Sequence, residues 1–268
     1  QQGEIRLEAV RAVYNDLQTE INGRMTIQGD TVSGENITIE IADQRANLDF
    51  TAANLFGKPI RINHRLTSEK LNLDKITAAL DGEEKAPPQK KRPEKTESPP
   101  PTGGLDLPLT ADGEIRVGNA LYQGLAINDF NLKHRLENNI LTITELGGQA
   151  AGGNISGKGK IDLGKKKIGY DMNLSVDGTQ ADDLISSLFP AATNTIFGQM
   201  FLDAEFSGSG LDLSGIRQSL SGRADLRLTD GRLTGMGLTR GLAAFLGAER
   251  LGSLNFDAVE GNVRLKNG

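Results

Sequence analysis

The chain has 268 residues, a formal net charge of -5 and a pI near 5.3. It is long enough to bury a real core, and its charge leaves no global field to draw in nucleic acid. Cysteine is absent, which excludes disulfide scaffolds, thiolate catalysis and Cys-built zinc sites. The 33 glycines, few aromatics and lack of Trp favour many strands with tight turns over a helical bundle.

The chain opens Gln1-Gln2-Gly3, with neither a Met nor a basic segment leading into an apolar one, and no apolar run reaches the roughly 18 residues of a membrane span. Either the protein is soluble or an anchor lies outside this piece. Residues 1–80 read as a first β module. Within it Ile37, Ile39 and Ile41 alternate with Thr38 and Glu40, the period of two that sends side chains to opposite faces of a sheet. It closes on Asp74-x-Ile76-x-x-x-Leu80, a short helix with Asp74 as its cap. Residues 81–104 hold six of the nine prolines among Glu, Lys, Arg, Ser and Thr, the composition of a solvated, disordered linker.

A second module, 105–198, carries Phe130, Leu132 and Leu136 against Asn131, Lys133 and Arg135. It continues with Ile168, Tyr170, Met172, Leu174 and Val176 against Lys167, Asp171, Asn173 and Ser175. The start of a third, 199–268, alternates Leu202, Ala204 and Phe206, then Ala224, Leu226 and Leu228. The capped-helix pattern recurs at Asp182-x-Leu184-x-x-x-Leu188 and Ser214-x-Ile216-x-x-x-Leu220, an internal repeat, and a further helix is expected over 238–251. Asn22-Gly23, Asp112-Gly113, Asn138-Asn139, Asp177-Gly178 and Asp230-Gly231 tolerate positive φ and predict two-residue hairpins. The expected fold is mainly β: an antiparallel meander of repeated modules with a few short capping helices.

Chemistry is hard to place on this pattern. Gly152-x-x-x-x-Gly157-Lys158 lacks the Ser or Thr of a phosphate loop, and a strand rather than a helix follows it. Gly235-Met236-Gly237 has Arg240 in place of the third glycine of a dinucleotide turn. His64 and His134 fall on the apolar phase of their strands with no His, Cys or carboxylate at ligand spacing, so each reads as a structural histidine. Asp182 and Asp183 are adjacent on a helix and cannot face each other; no serine sits in a nucleophile elbow. No catalytic residue, cofactor or metal site is expected, and the protein reads as a non-enzyme.

Three stretches carry a resemblance. Residues 113–130, GEIRVGNALYQGLAINDF, are similar to a strand-turn-strand signature of the AsmA family. Residues 152–163 are similar to its Gly-rich hairpin, and 220–233, LSGRADLRLTDGRL, to its C-terminal module. The resemblance covers 105–268 well and 20–80 more loosely. The family's N-terminal membrane anchor is missing, and the third module stops in what resembles its middle; both read as truncation.

The resemblance implies a periplasmic protein of a Gram-negative bacterium, anchored in the inner membrane by a segment outside this piece. It implies a curved, elongated sheet whose apolar groove carries phospholipid acyl chains between the two membranes. Contacts with acyl chains are then expected at Ile37, Ile39, Ile41, Phe130, Leu132, Tyr170, Met172, Leu174, Leu226 and Leu228. A second reading is an interaction scaffold for outer-membrane protein assembly, and a weaker third is a β-rich adhesive or sugar-binding surface module, for which three Tyr and no Trp are poor provision. Alternation alone favours apolar faces that close on one another as a sandwich, and it is the resemblance that reverses this preference.

Overall fold

The computed structural model describes residues 2–14, 17–41, 43–76, 106–188, 192–210, 218–234 and 253–268. The proline-rich segment 81–104, the third repeat at 214–217 and the helix expected over 238–251 lie outside them.

Alternation builds thirteen strands: β1 Gln2–Tyr14, β2 Leu17–Gln28, β3 Thr31–Ile41, β4 Gln44–Ala53, β5 Ile60–Asn72, β6 Leu109–Tyr122 and β7 Leu125–Glu137. They continue as β8 Ile140–Ala150, β9 Gly153–Asp162, β10 Gly169–Gln180, β11 Ile196–Ser209, β12 Ser221–Thr234 and β13 Ser253–Leu265. All pair in chain order in one curved sheet that does not close, so β1 and β13 are its edges. Among the described residues there is no second sheet, and the sandwich does not form.

Every step of the sheet is antiparallel except β5–β6, which is parallel with Ile60 opposite Leu109 and Asn72 opposite Leu121. A meander of tight turns cannot make such a step, because parallel neighbours require the chain to return along a full strand. Residues 73–108 separate the two strands in the sequence.

Four of the five expected hairpin turns are not turns. Asn138-Asn139 does join β7 to β8, with φ of 51° and 62°. Gly23, Gly178 and Asp230 instead take up register shifts or positive φ inside β2, β10 and β12, and Asp112-Gly113 runs straight through β6. The tolerance of positive φ that serves a hairpin serves a β-bulge as well, and bulges twist and bend long strands. Two bulged residues have their amides satisfied across the strand: Ala9 donates to Asn22 Oδ1 at 2.6 Å and Asn36 to Asp49 Oδ1 at 2.7 Å. The Gly-rich stretch after Gly152 is a turn followed by the single strand β9.

Among the described residues helix lies at the rims of the sheet, most of it at one rim and residues 218–219 at the other, beside Ser209. α1, Ala181–Leu188, follows β10 directly, with Asp182 and Asp183 in its first turn rather than at its cap. Residues 73–76 begin a second helical turn, capped by Asn72, whose Oδ1 accepts from the Lys75 amide at 3.0 Å. Asp74 instead accepts from the Gln123 amide at 2.7 Å, tying this turn to the β6–β7 hairpin.

Candidate functional site

Register joins the apolar phases of successive strands into lateral rows. One row crosses all thirteen: Ile5, Met25, Gly34, Phe50, His64, Gly113, His134, Ile143, Gly159, Met172, Phe206, Gly222 and Leu265 stand opposite one another in turn. A neighbouring row runs from Ile37 through Leu48, Leu66, Ile115, Leu132, Leu146, Gly157, Leu174, Ala204 and Ala224 to Val263. It contains no polar side chain. A third begins at Ile27 and passes Val32, Ala52, Ile62, Ala111, Leu136, Leu141 and Ile161 to Tyr170.

The ten residues expected to contact lipid all lie on this face. Ile37, Leu132 and Leu174 share one row, Met172 lies in the row that crosses every strand, and Tyr170 ends the third, packed edge-on against Phe206 at 6.4 Å. Ile39 stands between Ile21 and Ala46. Ile41 is flanked by Thr19 and Gln44, so the apolar surface ends there. Leu226 lies between Leu202 and Gly261. Leu228 is 4% exposed, packed with Met200, Val176 and the Leu184 of α1. Phe130 packs on a smaller cluster of Leu71, Val117 and Ala120 beside the 73–76 turn. Both clusters lie towards the rim that carries the helical turns. Most other residues of the face are only half buried, and Ile5, Val263 and Leu265 on the edge strands are exposed.

The opposite face is charged and self-paired. Asp49, Arg65, Glu114, Lys133 and Glu145 form a lateral row of alternating sign. Arg65 and Arg116 contact Glu114 at 3.2 and 2.7 Å, and Lys133 meets Glu145 at 2.7 Å. The hydrogen bond from Arg116, then its charge and the contact from Arg65, hold the Glu114 carboxyl below its ordinary range despite partial desolvation. Shallow clefts lie between these side chains. An exposed pair such as Lys133–Glu145 contributes little to stability.

The sequence did not reveal that the two histidines meet. The parallel step puts β6 between their strands, and the rings face each other over Gly113 with centroids 5.0 Å apart. Burial holds both below the ordinary imidazole range; for His134 repulsion from His64 adds to this and the Asp112 carboxylate opposes it. His134 Nδ1 is out of contact with solvent and has no hydrogen-bond partner, as is the Tyr170 hydroxyl. Among the described residues no three His, Cys, Asp or Glu side chains converge as a metal centre, and no helix is long and apolar enough to cross a membrane.

A family model described as the AsmA family matches residues 7–268. Protein AsmA of Escherichia coli (strain K12) is 25% identical over 183 residues, which cover 64% of this chain and 29% of that protein. The chain thus spans less than a third of the length of the curated relative it matches. No solved structure matches.

Proposed function

From the premise that this chain belongs to the AsmA family, which is linked to envelope biogenesis, we propose that its apolar face is a track for phospholipid acyl chains passing between the inner and outer membranes. The observation that carries this reading is the lateral continuity of the apolar rows. Acyl chains have no hydrogen-bonding groups, so a path for them needs unbroken apolar surface far more than it needs a shaped pocket. An ordinary globular protein would cover such a face, because exposed contiguous apolar patches beyond a few hundred Å² are rare in monomers. The protein then works in the periplasm at the inner membrane, and it does so without catalysis.

Rows of this kind also account for the glycines. Large residues alternate with Gly34, Gly113, Gly159 and Gly222 along the row that crosses every strand, and Phe50, the two histidines, Met172 and Phe206 lean into the space over them. Dispersion contacts with a flexible chain are individually tiny and collectively large, so a continuous apolar floor can hold a lipid tail without fixing one pose.

The test is site-specific photo-crosslinking in the full-length protein in cells. A probe at Met172, on the apolar face, is expected to capture phospholipid, and one at Asn173, on the charged face, is not. Capture of protein alone at Met172 would instead support the scaffold reading, in which outer-membrane assembly proteins occupy this face.

A further inference from the structure

Strands β5 and β7 are two strand spacings apart, about 10 Å, yet their histidine rings approach to 5.0 Å between centroids. They do so by leaning over the one residue of the row between them that has no side chain. A Cβ on Gly113 would lie 2.2 Å from His64 Cε1, 2.4 Å from His64 Nε2 and 2.5 Å from His134 Cε1. The gap over Gly113 is therefore filled from both sides by ring edges that carry nitrogen. Their other neighbours on this face are apolar: Phe50 beside His64 and Ile143 beside His134. No hydrogen bond accounts for His134 Nδ1. An imidazole in such surroundings keeps a free lone pair, the form in which it binds metal.

The separation suits a shared ion. A metal bound at about 2.0–2.1 Å to one nitrogen of each ring sits about 3.2 Å from each centroid, so nitrogen–metal–nitrogen angles from about 90° to about 109° hold the centroids about 4.5–5.2 Å apart. The observed 5.0 Å lies in that interval.

We propose that His64 and His134 form a two-imidazole site for one divalent transition-metal ion of the zinc, nickel and copper class, seated over Gly113 in the middle of the apolar face. Imidazole nitrogen selects these ions against magnesium and calcium, which demand oxygen. With no third His, Cys, Asp or Glu converging among the described residues, the other coordination positions stay open to exchangeable ligands. Binding is therefore reversible, and the ion adds charge at one point of a surface that is otherwise uncharged.

Calorimetric titration of the tag-free chain with Zn²⁺, and the visible absorption of Co²⁺ as a geometry-sensitive substitute, test the site without lipid. Saturable binding of one ion is expected, with no response to Mg²⁺. His64→Gln and His134→Gln should each weaken it by about tenfold or more. Because the chain has only two histidines, both ring signals can be followed by NMR in the unaltered protein, and both should shift together on titration. This measurement decides the matter even if a variant misfolds. Absence of saturable Zn²⁺ binding by the folded chain, or binding that leaves both ring signals unmoved, would overturn the proposal.

Discussion

The apolar face is one surface by register but two by environment. Beneath α1 it behaves as a core: Val176, Leu228, Met200 and Leu184 are all at most 6% exposed. Across the remaining width, Leu132, Leu174 and Met172 have the same strand phase but lie half open, and Val263 and Leu265 reach 46% and 43% exposure. Alternation sets which side a residue takes; what covers that side is decided elsewhere in the chain. Stability should therefore concentrate at the helical rim, while the open rows remain free for another use.

The sharpest test of this contrast is a pair of truncations followed by urea denaturation. Leu228→Ala should cost about 2–5 kcal/mol, the range for a buried leucine, whereas Leu174→Ala in the open row should cost about 1 kcal/mol. Equal losses would break the distinction between rim and row. A smaller effect is expected at Gly153, under the same rim, where a Cβ would lie 2.4 Å from both the Asp177 carbonyl oxygen and the Thr179 amide nitrogen across the β10 bulge. Backbone cannot move aside as a side-chain tip can, so Gly153→Ala should destabilise by about 1–3 kcal/mol. Asp182→Ala removes a first-turn carboxylate from α1 and should cost about 0.3–1 kcal/mol, through the helix dipole rather than a lost cap.

The smallest effect belongs to the open part of the face. Burial lowers the affinity of both histidines for protons in the fold, so the unfolded chain, with ordinary values near 6.5, binds more protons once the pH drops below that value. Stability should fall as the pH is lowered from about 7.5 through 6.5 and below, until the folded rings protonate too. A His64→Gln, His134→Gln double variant should flatten that part of the thermal-stability profile; an unchanged slope would show that the pair does not bear on it.

Strand phase was legible because it needs only local information. Each of the ten apolar positions on β3, β7, β10 and β12 could be placed on one face from its neighbours in sequence. Strand ends were less legible, since Gly23 and Gly178 carry the same Asn-Gly or Asp-Gly signal as a turn yet sit in bulges, and only the partner strand distinguishes the two. The cap of the 73–76 turn was misplaced by two residues, from Asn72 to Asp74, because both are good capping types and the tie from Asp74 to Gln123 joins residues 49 apart. The histidine pair was not legible at all. It depends on the parallel step, which no local pattern specifies.

That step also divides the molecule in time. Eleven of its twelve strand pairings join strands with at most 18 residues between them, the more local kind of contact; β5–β6 instead joins residues some 49 positions apart, as in the Arg65–Glu114 bond. Closing so long a loop carries an entropic penalty about 1 kcal/mol greater than closing a hairpin. Hairpins on either side can condense independently, each exposing an unpaired edge, β5 on one and β6 on the other, before the two zip together. Until that happens these edges are templates for a strand of another molecule, so refolding yield should fall with protein concentration. The junction that brings the histidines together is then also the place where two chains can join the wrong way.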